Sequence, residues 1–157
     1  MNSPITLPDA RRAELDAAAL DLLQLHNVTQ PPVVIEDILR RPAADLWRPD
    51  LVDLSLQSFE SHERYAARPT IARLVARYAG NSLWARQRGL AADSGLTPDE
   101  VRYFARALLM PKDWMIALQP NERSPASVRL RFHVPREDAA QRLAELNLLR
   151  IAPGAAT

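Results

Sequence analysis

Thirteen prolines divide this chain of 157 residues into short segments, and most segments carry apolar residues at three- and four-residue spacing. Proline fits the first turn of a helix but interrupts a helix beyond it, so prolines restrict where helices can begin and end. Pro8 and Asp9 favour the start of a helix over residues 10–26. Its expected core face comprises Leu15, Ala18, Ala19, Leu22 and Leu23. A chain built from such segments is expected to be mainly helical.

Seven further segments show the same helical pattern. The clearest follows Thr97 and Glu100, which are spaced as a capping box, and it ends at Pro111. The other six span residues 33–41, 69–79, 82–88, 112–118, 126–132 and 136–146. In the first two of these, the residues expected to face the core are Val34, Ile38, Leu39, Ile71, Leu74, Val75 and Tyr78.

One segment has the pattern of a strand. Over residues 51–56, the apolar Val52, Leu54 and Leu56 alternate with polar residues, which is typical of a half-buried strand. The predicted fold class is therefore α+β, mainly helical, with a small β element in the region 43–62. We expect a single domain over residues 1–157, and a flexible tail over residues 152–157, where the residues are small and unanchored.

The composition limits where the chain can work. It has no cysteine, which excludes disulfides, thiolate metal sites and a cysteine nucleophile, and fits a reducing compartment. The first residues lack a basic stretch followed by an apolar one, and nowhere do 18 apolar residues run together. We therefore expect a cytoplasmic protein that does not associate with a membrane.

The net charge of +1 conceals a strong asymmetry along the chain. Residues 1–63 contain five basic and eleven acidic residues, whereas residues 64–157 contain fifteen basic and eight acidic ones. Such a division indicates either two parts of one domain that face each other or a basic part that meets an anionic partner. Complementary surfaces within one fold are the more common of the two.

Three stretches of sequence resemble one known family. Residues 104–111 read Phe-Ala-Arg-Ala-Leu-Leu-Met-Pro, which resembles the Phe-Ala-x-x-Leu-Leu-Met-Pro signature of the ImmA/IrrE metallopeptidases, also described as the IrrE N-terminal-like domain. Residues 31–33 resemble the Pro-Pro-Val of that family, and Phe132-x-Val134 with Arg142-Leu143 resembles its closing segment. The resemblance covers residues 15–149 and implies a zincin-like, mainly helical domain.

The metal motif of that family is altered here. Family members carry Thr-x-Ala-His-Glu-x-x-His, in which two histidines bind zinc and the glutamate is the general base. The corresponding residues 70–77 place Arg73 and Arg77 where the resemblance implies histidines, and Leu74 where it implies the base. A guanidinium has no lone pair for a metal, and leucine cannot accept a proton. We therefore expect no metal, no cofactor and no catalytic residue, although Glu100 lies close to the position of the family's third ligand.

Two pairs of arginines have the spacing of one helical turn, Arg73 with Arg77 and Arg102 with Arg106. If these helices pack as the resemblance implies, some of the four guanidiniums face the former metal cleft. They could bind a carboxylate, a phosphate or a nucleic-acid backbone. Alternatively, they form internal salt bridges, which is the more usual role of a charged helix face. The candidate acidic partners are Glu60, Glu63, Asp99 and Glu100.

The segment 126–147 has the pattern of a helix-turn-helix. Its candidate phosphate contacts are Arg129, Arg131, Arg136 and Arg142. Pro135 stands in the turn where glycine is usual, and Glu137 and Asp138 in the first turn of the second helix would repel a DNA backbone. This segment is therefore better interpreted as part of the packed fold.

Three functional hypotheses follow. The first is a non-catalytic, ImmA/IrrE-like regulatory protein, a pseudo-peptidase that binds a protein partner. The resemblance implies a partner of the helix-turn-helix repressor type in a stress-response or mobile-element circuit. The second is a nucleic-acid-binding transcriptional regulator that uses the basic C-terminal part. The third is an active metallopeptidase.

Overall fold

The computed structural model describes residues 7–48 and 65–149, and in these ranges the chain is mainly helical. The helices are α1 (Asp9–Leu25), α2 (Ile35–Arg40), α3 (Ala67–Gly80), α4 (Leu83–Gln87), α5 (Pro98–Leu109), α6 (Lys112–Ile116), α7 (Pro125–Phe132) and α8 (Arg136–Glu145). Short 3-10 turns cover Ala43–Asp45 and Pro120–Glu122. The described residues contain no strand, and the strand predicted at 51–56 and the tail 152–157 lie outside them. The mainly helical class predicted from the sequence is therefore confirmed.

Helix α5 lies at the centre of the fold. It begins with the predicted capping box, in which the Thr97 hydroxyl accepts the Glu100 N–H at 3.2 Å and the Glu100 carboxylate accepts the Thr97 N–H at 2.9 Å. The helix packs against α1, α3 and α8, so apolar residues around most of its circumference are buried. These are Val101, Tyr103, Phe104, Ala105, Ala107, Leu108 and Leu109.

The core faces of the other helices agree with the sequence in most places. All five residues expected to form the core face of α1 are fully buried. In α2 the expectation for Val34 was wrong: its side chain is 50% exposed, and Ile35 is buried instead. Val34 is the N-cap, and the helix starts one residue later, which turns Ile35 to the core. In α3, Ile71 and Val75 are buried, whereas Leu74 and Tyr78 are only partly so.

Arg68, at the start of α3, joins three distant parts of the chain. Its Nε donates to the His133 carbonyl at 2.7 Å, and its Nη2 donates to the Val33 carbonyl at 2.6 Å. Burial lowers the pKa of Arg68, and the Glu36 carboxylate, 3.5 Å away, opposes that shift. The guanidinium therefore ties α3 to the start of α2 and to the turn between α7 and α8.

Helices α7 and α8 form the expected pair joined by a tight turn. His133 ends α7 in the left-handed conformation, with φ 55° and ψ 56°, and Pro135 precedes the first residue of α8. The two helices pack on each other, and α8 also contacts α5. None of the helices found over residues 7–48 and 65–149 combines the length and the apolar character that crossing a membrane requires.

Candidate functional site: an arginine cleft between α3 and α5

A cleft of about 330 Å³ lies between α3, α5 and the loop that precedes α5. We call it the arginine cleft, because three guanidinium groups line it, two from α3 and one from α5. The lining residues are Arg73, Arg77, Asn81, Ser94, Leu96, Pro98, Val101 and Arg102.

Close packing at two glycines holds the loop that forms one wall of the cleft. A Cβ at Gly80 would come within 2.8 Å of the Leu96 side chain, so only glycine lets the loop lie this close to the end of α3. Gly95 has a φ of +79°, and a Cβ there would lie 2.3 Å from the Asn81 side-chain oxygen. Both contacts join the loop to α3 and fix the width of the cleft.

The positions that the ImmA/IrrE resemblance implies for a zinc motif do not suit a metal ion. Arg73 is half-buried and donates to the Thr70 hydroxyl at 3.1 Å, Arg77 is exposed, and Leu74 packs partly against the core. Two guanidiniums would repel a divalent cation, and an aliphatic side chain cannot activate water. Within the described ranges, no three His, Asp or Glu residues are grouped so that they could hold a metal.

Glu100, which the resemblance implies lies close to the position of a third zinc ligand, already has hydrogen-bond and ion-pair partners within the protein. Besides its capping-box bond, its carboxylate forms an ion pair with Arg11 of α1. Burial disfavours the charged form of Glu100, but the bonds from Thr97 and Arg11 outweigh it and lower the pKa of this carboxyl. Its oxygens therefore serve the start of α5 and the contact with α1.

Three of the four arginines considered for the cleft line it, Arg106 does not, and the charges of the other three all act on Arg73. Burial lowers the pKa of Arg73, and the charges of Arg77, Arg102 and Arg106 lower it further, while Asp138 opposes the shift. Two of the four are paired internally, Arg102 with Asp99 at 2.6 Å and Arg106 with Glu145 through a two-donor contact. Arg102 and Arg106 therefore form internal ion pairs, which is the second interpretation, whereas the first interpretation stays open for Arg73 and Arg77.

Asp138 of α8 is a further acidic group whose charge acts on Arg73 and Arg106. Burial raises the pKa of its carboxyl, and the negative charge of Glu137 adds to the effect, while Arg106 and Arg73 oppose it. It lies too far from Arg73 to form an ion pair. Among the described residues, neither Arg73 nor Arg77 has an ion pair with a carboxylate. Within the described residues the α3 side of the cleft thus keeps an excess of positive charge, and the candidate partners Glu60 and Glu63 lie outside those residues.

The candidate phosphate contacts in α7 and α8 do not form one surface. Arg142 is fully buried, so its expected contact with a phosphate was wrong. Arg129 lies over the ring of Tyr65, 5.1 Å from its centroid. Arg131 and Arg136 are exposed, and Arg131 lies 3.8 Å from the Glu122 carboxylate.

Arg142 belongs to an internal network that the sequence analysis missed. Its Nη2 donates to Asp16 of α1 at 2.7 Å, and its Nε donates to the Met110 carbonyl at 2.9 Å. The Tyr103 hydroxyl donates to the other Asp16 oxygen at 2.7 Å, and the guanidinium lies over the Tyr103 ring. A signal was present, because Arg142 falls on the apolar stripe of α8 between Ala139 and Leu143.

A second, larger cleft of about 460 Å³ lies at the end of α1, where His26 and Asp37 are among the lining residues. Both ring nitrogens of His26 have backbone partners. Nδ1 lies 2.8 Å from the Leu22 carbonyl, and Nε2 accepts the Ala43 N–H at 3.0 Å. Both nitrogens of the imidazole therefore contact the backbone at the end of α1, and the ring is not placed to act as a base.

Comparison of this chain with protein-family models, curated proteins and solved structures found no match. The ImmA/IrrE resemblance therefore stays a prediction that rests on the motif residues. What the geometry adds is a defined cleft between the two helices that carry those motifs, with cationic side chains at its wall.

Proposed function

We propose that this protein is a non-catalytic, ImmA/IrrE-like regulatory protein that acts by binding another protein. The observation that carries the proposal is the arginine cleft itself. It lies between the helix that corresponds to the zinc-binding helix and the helix with the Phe-to-Pro signature, but Arg73, Leu74 and Arg77 supply neither a metal ligand nor a base. A cleft of this kind can bind a peptide without cleaving it.

The internal contacts of Glu100 support the same proposal. Recruiting Glu100 as a ligand would break the capping box of α5 and the ion pair with Arg11. Loss of a helix cap alone costs about 1 kcal/mol. The chain would therefore lose stability in order to rebuild a site that still lacks its other ligands.

The partner to test first is a helix-turn-helix repressor encoded beside this gene, since the resemblance implies that class of partner. Purified repressor is titrated with this protein, and binding is followed by calorimetry while the repressor is followed by gel electrophoresis with zinc added. We expect a saturable complex and an intact repressor. Cleavage of the repressor, or the absence of a complex, would contradict the proposal.

A further inference from the structure

We infer that the arginine cleft binds the carboxylate of an acidic residue in a partner protein, where that residue stands beside an apolar side chain. This inference rests on the proposed function and adds to it the site and the chemistry of the partner. Its starting points are the charges of Arg73 and Arg77, which no described carboxylate pairs with, and the apolar residues that share the cleft.

The charge comes from Arg73 and Arg77, which lie one turn apart and both line the cleft. Like charges at this spacing destabilise a helix, and here Arg102 adds a third from the opposite wall. Arg102 already has Asp99 as a partner, whereas Arg73 and Arg77 have no ion pair with a described carboxylate. A carboxylate between them would relieve the repulsion and accept charge-assisted hydrogen bonds from both.

The apolar part of the lining consists of Leu96, Pro98 and Val101. Val101 is buried, and Leu96 packs closely against Gly80 at the end of α3. An apolar side chain next to the acidic residue would cover these groups and remove water from the ion pairs, which strengthens them. The lining is thus suited to a short peptide of mixed acidic and apolar character.

A protein segment fits the cleft better than a nucleic acid does. The cleft has room for one or two side chains, and two acidic residues are sequence neighbours of its lining residues. Asp99 follows Pro98 and is partly exposed, and the exposed Asp93 precedes Ser94. A continuous array of phosphates would meet these carboxylates, whereas a single carboxylate on a peptide would avoid them.

The test uses two short fluorescein-labelled peptides, one with alternating glutamate and leucine and one with glutamine in place of glutamate. Fluorescence anisotropy measures their binding to the full chain at low and high salt. We expect the glutamate peptide to bind, its affinity to fall with salt, and the glutamine peptide to bind at least about tenfold more weakly. Equal binding of the two peptides would overturn the inference without any change to the protein.

A matched pair of variants locates the site. Arg73→Met with Arg77→Met removes two charges from the cleft and keeps the aliphatic stems, and Arg131→Met with Arg136→Met removes two exposed charges elsewhere. We expect only the first variant to lose affinity, by about tenfold or more. Equal losses of affinity in both variants would show that the net charge of the protein alone attracts the peptide. That result would overturn the inference.

Two further measurements separate other sources of the anion. If duplex DNA bound the wild-type chain more tightly than the glutamate peptide does, and the Arg73→Met, Arg77→Met variant lost that binding, the anion that the cleft selects would be a phosphate and not a carboxylate. If only a Glu60→Gln, Glu63→Gln variant bound the peptide, the cleft would be neutralised by the chain's own carboxylates. Either result overturns the inference. The inference is supported if the cleft prefers the glutamate peptide to DNA and if the wild-type chain itself binds the peptide.

The inference and the proposed function fail in different ways. If a repressor binds the wild-type chain and the Arg73→Met, Arg77→Met variant equally well, the protein binds its partner through another surface and only the inference fails. If the peptide binds in the cleft but no repressor binds the chain, the carboxylate site stands and the proposed partner is wrong.

Discussion

At the scale of single residues, the same side-chain type has three roles in this chain. Arg142 is an internal anchor, Arg68 joins backbone carbonyls from distant segments, and Arg77 lines a cleft at the surface. Sequence spacing brought Arg73 and Arg77 together at the cleft, because a helix alone brings residues four apart together, but it did not show that Arg106 lies outside the lining. It did not predict the burial of Arg142, because the partner Asp16 lies 126 positions away in the sequence.

The buried position of Arg142 predicts that its replacement destabilises the protein. Replacement by alanine would leave Asp16 and the Met110 carbonyl without their donor inside the protein. Removing one partner of a buried ion pair lowers the free energy of unfolding by about 3–5 kcal/mol. We expect a loss of that size for Arg142→Ala in urea denaturation.

The matched control lies on the same helix. Arg136→Ala removes an exposed guanidinium at the start of α8, and such surface changes alter the free energy of unfolding by roughly 0.5 kcal/mol or less. Similar losses for Arg136→Ala and Arg142→Ala would show that the network of Arg142, Asp16 and Tyr103 contributes no more than a surface charge does.

At the scale of elements, the helices were predictable because their signals are local. The capping box of Thr97 and Glu100, the prolines and the apolar spacing predicted α1 and α5 to within a residue of their observed starts. Val34 is the exception, since the helix predicted to start at residue 33 starts at Ile35, and such a shift changes which side chain faces the core.

The α7 and α8 pair shows what local signals leave open. Its helices and tight turn were predicted, but the same pattern is typical of a DNA-binding unit and of ordinary helix packing. The burial of Val128, Phe132, Ala139 and Leu143, together with Arg142, places this unit within the core packing. Such a distinction depends on contacts between elements, which periodicity does not report.

The same pair gives the second prediction. Of the four candidate phosphate contacts, only Arg131 and Arg136 are exposed without an aromatic partner, and Glu137 and Asp138 begin α8. We expect no shift of duplex DNA in gel electrophoresis at low salt, because so few phosphate contacts remain. A salt-dependent shift that weakens in an Arg131→Ala, Arg136→Ala variant would contradict this and favour the nucleic-acid hypothesis.

At the scale of the whole molecule, the uneven distribution of charge along the chain is partly compensated within the described residues. Acidic side chains of residues 1–63 pair with arginines of residues 64–157 at three places there. These pairs are Asp16 with Arg142 at 2.7 Å, Asp21 with Arg88 at 2.5 Å and Glu36 with Arg68 at 3.5 Å. In the arginine cleft, by contrast, Arg73 and Arg77 lie one turn apart and have no such partner among the described residues.

The last prediction concerns metal and the stability of the whole chain. A ligand that binds only the folded state raises the melting temperature Tm, and its removal lowers Tm again. Since Arg73 and Arg77 would repel a divalent cation, we expect the purified chain to hold no stoichiometric zinc and to keep the same Tm with EDTA or with added zinc. The comparison is a variant with Arg73→His, Leu74→Glu and Arg77→His, whose two imidazoles one turn apart can share a zinc ion, so added zinc should raise its Tm. One zinc per wild-type chain, or a lower Tm of that chain in EDTA, would show that another set of residues binds the metal and that the protein is not the pseudo-peptidase we propose.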